Sequence, residues 1–211
     1  MPYSSEHRDR VREKIVQSAR RLFNRKGFNA VSIDDVMADA GLTRGSFYAY
    51  FDSKSDLYAT AITAILSEKS IDISDGIGID PRAPEVAAEI ISDYLSVARF
   101  EDIDGSCPLV ALPNDVSRTE QSVKLAFESV LKVLIDIFEQ GLQRRGAAAR
   151  QRALAMASLC VGGMVLARTV EDRALGDELR EASRSVALSL GHWDDEGHAA
   201  AGGDGGRLSI S

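Results

Sequence analysis

The residues best equipped for chemistry crowd into one short stretch. "GLTRGSFYAYF", residues 41–51, places Thr43, Arg44, Gly45, Ser46, Tyr48 and Tyr50 close together. Hydroxyls, a guanidinium and peptide N–H groups are donors suited to phosphate oxygens and base edges. Gly45, having no side chain, lets a backbone come close to a partner. Phe47 and Phe51 lie four apart, the spacing of one helical face, and are expected to face the core. That leaves Ser46, Tyr48, Ala49 and Tyr50 toward the outside. Ser32 and Lys54, on either side, stand where flanking helices begin, and a helix amino terminus favours anions.

Nothing comparable points to catalysis. The three histidines, His7, His192 and His198, sit near the two ends. No Ser-His-Asp order, metal motif or phosphate loop accompanies them, so no enzyme activity and no cofactor are expected. Cys107 and Cys160 lack CxxC or Cys/His spacing, which suits a reducing cytosol. "MPYSSEHRDR" has no apolar h-region, and the longest apolar run, residues 153–167, is shorter than the roughly 20 residues a membrane span needs. A cytoplasmic protein without a membrane partner is expected.

Net charge is −7, which argues against a nucleic-acid partner until its distribution is considered. Residues 1–54 carry ten Lys/Arg against seven Asp/Glu, whereas the rest carry fifteen against twenty-five. A basic head on an acidic body fits a DNA-binding segment attached to a scaffold that does not touch DNA. Arg8, Arg10, Arg12 and Lys14 supply either an arm for phosphates or a solvated helix face.

The elements that must position these residues read as helices. Val11, Ile15, Ala19, Leu22 and Phe23 recur at helical spacing, and Gly27 follows where a helix should stop. Ser32 with Asp35 makes a capping box before Val36 and Met37. Gly41 ends that helix, and Thr43 can cap the next. Ser53 with Asp56 caps a fourth, running to about residue 70. Residues 72–84 read as a connection. Helical patterns resume over 85–100, "EDIDGSCP" interrupts them, and Pro108 opens a short helix. A long amphipathic helix is expected from a Thr119 cap to about Gly146, then two more over 148–171 and 175–190. Residues 192–211, rich in glycine and charge, are expected to be a disordered tail.

Two helices joined by a short glycine turn make a helix-turn-helix, whose second helix enters the major groove. The register of Leu22-Phe23, Gly27-Phe28, Ser32-Ile33, Ala40-Gly41-Leu42-Thr43, Phe47-Tyr48, Phe51 and Ser53-Lys54 resembles the amino-terminal domain of the TetR family of bacterial repressors. The resemblance implies an all-α protein: a three-helix helix-turn-helix DNA-binding domain over residues 1–52 and a larger helical effector-binding and dimerisation domain over 53–191. It also implies phosphate contacts by Tyr48, Lys54 and Ser32. The family often carries histidine where Tyr50 stands and a larger residue at Ala49.

So short a recognition helix offers few base contacts, so a homodimer on a two-fold double-stranded DNA operator is expected. Ala157, Val161, Gly162 and Val165, with Leu179 and Val186 on the following helix, form an apolar strip fit to pair with a second copy. Family members dimerise through such a bundle. Tyr58, Ile62, Tyr94, Phe100, Phe127, Leu131 and Phe138 could line a cavity for a small, mostly apolar effector. The acidic body would favour a cation over an anion there. Two further readings stay open: a helical DNA-binding protein without an effector, and a redox or electrophile sensor acting through Cys107.

Overall fold

The computed structural model describes residues 5–66, 83–142 and 146–191. Among these residues every regular element is helical, as expected. Of the expected connection over 72–84, residues 72–82 lie outside the described residues, as does the tail over 192–211, while Ala83 and Pro84 already cap and open a helix.

Helix α1 spans Ser5–Ala30, interrupted at Gly27, where φ is 77°. The glycine is required twice over, because a Cβ there would also run into the Asp115 carboxylate. Helix α2, Ile33–Asp39, opens with the expected capping box. The Ser32 hydroxyl accepts from the Asp35 amide at 3.0 Å, and the Asp35 carboxylate accepts from the Ser32 amide at 2.8 Å. Its end is a Schellman turn: Leu42 N–H donates to Met37 at 2.8 Å and Gly41 N–H to Ala38 at 2.9 Å, with Gly41 at φ 68°.

The recognition element, Arg44–Ala49, is a 3-10 helix. Thr43 occupies its cap position but its side chain makes no cap bond. The Thr43 carbonyl instead accepts from the Ser46 hydroxyl at 2.7 Å. Helix α3, Lys54–Thr63, is capped as expected, with Ser53 Oγ accepting from the Asp56 amide at 3.0 Å. A 3-10 turn, Ala64–Leu66, continues it; the expected extension to residue 70 lies outside the described residues.

Beyond the gap come α4 (Pro84–Tyr94), α5 (Val97–Glu101), α6 (Pro108–Ala111), α7 (Pro113–Ser117), α8 (Gln121–Gly141), α9 (Ala147–Thr169) and α10 (Arg173–Gly191). Two boundaries differ from expectation. The helix read over 85–100 breaks at Ser96, whose hydroxyl caps α5 by accepting from the Arg99 amide at 3.1 Å. Thr119 does not cap α8. Its hydroxyl donates back to the Val116 carbonyl at 2.8 Å, so Glu120 takes the cap position, and the helix ends at Gly141 rather than near Gly146.

The core runs without interruption from head to body. Ile15, Phe23, Met37, Phe47 and Leu57 are fully buried in the head, and Ile91, Leu109 and Met156 in the body. Helix α3 belongs to both, packing against α1 on one side and α8 on the other. Helices α9 and α10 pair closely; a Cβ at Gly163 would meet the Ser183 side chain, and one at Gly176 would lie 3.1 Å from the Ala167 carbonyl. Helix α9 is long and apolar enough by length and composition to cross a membrane. Part of its apolar surface packs on α8 and α10, and part forms the outward face described below.

Candidate functional site

The residues predicted to face DNA are exposed or half-buried on the head. Phe47 and Phe51 are buried with ring centroids 5.8 Å apart, which turns Tyr48 outward at 62% exposure. The Phe47 ring meets the Tyr48 ring edge-on at 5.1 Å, steadying the exposed tyrosine. Ser32, Thr43, Arg44 and Gly45 are exposed; Ser46, Tyr50 and Lys54 are half-buried. Nothing in the protein lies within 4 Å of a Cβ added at Gly45, so internal packing does not demand glycine there.

Charge is arranged around these residues. Arg44 pairs with Asp34 of α2 at 2.5 Å, so the guanidinium is held beside the amino-terminal turns of α2 and the recognition element. Arg8 donates to the Ala49 carbonyl at 2.9 Å and lies 5.9 Å from the Tyr50 ring centroid, while Arg12 covers the Phe51 ring at 5.0 Å. The first-helix cations therefore brace the recognition element as well as adding positive charge. Lys54 lies over the Phe28 ring at 4.2 Å; burial holds its pKa below the ordinary lysine value, opposed by Asp115 and Asp35. Hydrogen bonds from Ser32 keep the Asp35 carboxyl below its ordinary value, so the capping box is charged at neutral pH.

The head is fastened to the body through α1. Asn24 Nδ2 donates to the Asp104 and Ser106 carbonyls, both at 3.0 Å. Arg25 forks onto the Asp104 carboxylate, and the Asp115 carboxylate accepts from the Phe28 amide at 2.8 Å. Tyr58 sits at this junction, its ring 4.7 Å from both Phe23 and Phe28.

Behind that junction lies a cavity of about 320 Å³. Its walls are mostly apolar: Ile65 and Leu66 after α3, Val86 and Ile90 of α4, Leu109 and Val110 of α6, Val130, Val133, Leu134 and Ile137 of α8, and Met164 of α9. One end is polar, formed by Tyr94, Ser106, Cys107 and Arg168. Arg168 donates from Nη1 to the Ser106 hydroxyl at 2.6 Å, from Nε to the Phe100 carbonyl at 3.2 Å, and from Nη2 to the Arg99 and Asp102 carbonyls at 2.5 and 3.1 Å. The Tyr94 hydroxyl is buried without a well-formed hydrogen bond, its polar neighbour being the Cys107 thiol. Cys107 keeps some accessible surface, but this opens onto the cavity; burial pushes its thiol pKa up. Cys160 is buried packing, its thiol pushed up to about 12.

Of the seven residues proposed from sequence as cavity lining, Tyr94 lines this one. Tyr58, Ile62 and Phe138 are consumed by the core, and Phe100 is stacked near Arg173 and Arg180 at 4.7 and 5.2 Å. Phe127 and Leu131 are half-buried on α8, outside this cavity's lining. Helix α8 packs against α3, α4 and α9, so it needs apolar residues on several sides, and periodicity does not say which side meets which neighbour. Sequence reasoning missed Arg168 and Ser106, because nothing local marks an arginine whose partners lie more than sixty residues away.

An apolar surface on α9 and α10 faces outward. Leu154, Leu166, Leu175 and Val186 are exposed, with Val161, Gly162, Val165 and Leu179 half-buried among them. A Cβ at Gly162 would meet nothing. Ala157 departs from expectation: it is 2% exposed and packs inside its own protomer, because it shares the inner α9 face with Ala153 and Cys160.

Residues 15–61 match the family described as bacterial regulatory proteins, tetR family. The chain is similar to the HTH-type transcriptional regulator YxaF of Bacillus subtilis, 24% identical over 168 residues covering 77% of this chain and 87% of that protein. It is similar to the HTH-type transcriptional repressor BdcR of Escherichia coli, 30% identical over 95 residues, 45% and 47% of the two chains. With the regulator YfiR of Bacillus subtilis it is 34% identical over 65 residues, about a third of each chain (31% and 32%). The fold resembles Escherichia coli NemR in its reduced form, with a TM-score of 0.67 at 19% identity over 84% of this chain and 95% of that one. It also resembles Bacillus subtilis FadR in complex with stearoyl-CoA, with a TM-score of 0.60 at 15% identity over 86% and 98%. With its capped helix-turn-helix and exposed Tyr48, the head matches the tetR family of bacterial regulatory proteins over residues 15–61.

Proposed function

We propose that the protein is a cytoplasmic repressor that binds a palindromic duplex operator as a homodimer and is released by a small, mostly apolar effector. One observation carries this reading: the cavity and the DNA head share structural members. Ile65 and Leu66 line the cavity at one end of the α3 segment, whose other end carries Lys54. Ser106 lines it too, and its carbonyl accepts from Asn24 of α1. A ligand that displaces either wall moves the head. The outward apolar face of α9 and α10 would pair with a second copy through an isologous interface. Two recognition helices would then reach successive major grooves about 34 Å apart. A tenfold loss of DNA affinity requires the ligand to favour the released state by about 1.4 kcal/mol, and the effect is reciprocal.

Supporting the DNA contacts are the exposure of Tyr48, the open space at Gly45 and the cations around the recognition element. A cavity of about 320 Å³ favours an effector over a regulator that has none. The FadR neighbour with its stearoyl-CoA supports the capacity of this fold for a ligand. Cys107 lines the cavity, but a thiol whose pKa is raised by burial is a poor nucleophile at neutral pH, so a non-covalent effector is the favoured reading. The test has two steps. Duplexes are selected from a random pool, and hydrophobic compounds are screened by thermal shift. Each binding compound is then titrated into the protein–DNA complex. Recovery of a palindrome and its release by a bound compound would support the proposal; failure to enrich any duplex would overturn it.

A further inference from the structure

The polar end of the cavity specifies more than an apolar ligand. Arg168 brings a half-buried positive charge to the wall, and its four hydrogen bonds run to three carbonyls and one hydroxyl. No carboxylate among the described residues forms an ion pair with it. One of its five N–H groups, on Nη1, is left over by those bonds. Tyr94, beside it, has a buried hydroxyl with no well-formed hydrogen bond, and the Cys107 thiol next to it is a weak acceptor. Such a hydroxyl carries a free-energy penalty unless something enters to accept from it. A guanidinium whose neighbouring carboxylate, Asp102, makes no ion pair with it and a donor without a good acceptor meet at one end of a mostly apolar chamber.

We infer that the effector is an amphipathic organic anion, an aliphatic chain ending in a carboxylate, with its headgroup at Arg168 and Tyr94 and its chain along Val86, Ile90, Val130 and Leu134. This rests on the cavity being the effector site, as proposed above. A carboxylate accepts from both donors at once and neutralises the guanidinium. A neutral hydrocarbon leaves both unanswered, and a cation is repelled by Arg168. Burial disfavours the charged form of Arg168, so a counter-charge gains more there than on the surface. Three charged groups at the rim, Glu89, Asp93 and Arg99, are exposed, and Arg99 is paired with Asp93 at 2.9 Å. The acidic body, which would favour a cation, acts through solvent and is screened over about 8 Å at physiological salt. The buried end therefore decides. At about 320 Å³ the chamber lies at the small end of ligand pockets, roughly 300–1,000 Å³, and suits a medium-length chain.

The test compares decanoate, decanol and decylamine by isothermal titration calorimetry on the full chain, with Tyr94→Phe and Arg168→Gln. The expected result is that decanoate binds at least about tenfold more tightly than the other two, the gain expected of a charge-assisted pair. Tyr94→Phe should leave the unliganded melting temperature unchanged or higher, since it removes an unsatisfied hydroxyl, and still reduce the preference for decanoate about tenfold. Arg168→Gln should abolish that preference; should this variant fail to fold, the Tyr94→Phe comparison decides. Equal binding of the three probes, no binding of decanoate at millimolar concentration, or an undiminished preference in Tyr94→Phe would overturn the inference. Decanoate binding with the expected preference but without effect on DNA affinity would uphold this inference and count against effector release. A different compound that releases DNA while decanoate does not bind would do the reverse.

Discussion

Asn24 of α1 donates a hydrogen bond to the Ser106 carbonyl at 3.0 Å, and the Ser106 hydroxyl accepts from Arg168 on the cavity wall at 2.6 Å. Two bonds thus separate a residue of the DNA head from the chamber behind it. Asn24→Ala removes the first link, and with it the bond to Asp104. The expected cost in stability is about 1–3 kcal/mol for two hydrogen bonds. Operator affinity without ligand should change little, while the loss of affinity caused by a cavity ligand should shrink several-fold. Anisotropy titrations with and without ligand check this; an undiminished ligand response would remove Asn24 from the route.

Lys54 has two duties. Its ammonium lies over Phe28 and stands at the amino terminus of α3, where the proposed operator contact would engage it. Lys54→Met should reduce the slope of log affinity against log salt by about 0.9, and cost about 0.5–1 kcal/mol of stability from the lost ring contact. Tyr48→Phe, by contrast, should weaken binding to all duplexes alike with no change in melting temperature, because the tyrosine is exposed. An unchanged salt slope for Lys54→Met would place the lysine off the DNA.

Gly27 is the one glycine among the described residues where both backbone and neighbour forbid a side chain. Gly27→Ala forces alanine into φ 77°, ψ 169°, a region essentially confined to glycine, costing about 1–3 kcal/mol before the Asp115 collision is counted. For a chain of this size each kcal/mol lowers the melting temperature by about 2–4 °C, so a drop of at least about 2 °C is expected in calorimetry. A melting temperature equal to that of the parent would mean that α1 runs straight through residue 27.

Val165→Glu and Gly162→Glu place a charge on the outward α9 face, where a second copy would bury it at a cost of several kcal/mol. Light scattering should show monomers. An intact dimer for both variants would move the interface elsewhere.

The head was legible because its signals are local. Ser32 with Asp35, Ser53 with Asp56, and Phe47 with Phe51 each act within four residues, and each is found as read. The recognition element was legible in place but not in kind, since the Ser46 hydroxyl turning onto Thr43 accompanies a 3-10 rather than an α-helix. The cavity was the least legible feature. Its walls come from several helices and a loop, and α8 carries apolar residues toward several neighbours. Leu134 lines the chamber and Phe138, one turn further on, is lost in the core, yet the two are indistinguishable by spacing. Ala157 failed for the same reason: α9 is apolar on its inner and outer faces alike.

The central claim is that occupancy of the cavity and binding of DNA oppose one another. Its most direct measurement is the anisotropy of a labelled operator duplex titrated with protein, with and without a saturating cavity ligand whose occupancy is verified by calorimetry in the same buffer. The expected result is at least about tenfold weaker DNA binding in the presence of ligand and, by reciprocity, ligand binding weakened by the same factor in the presence of operator. A ligand that fills the cavity and leaves operator affinity unchanged would contradict it.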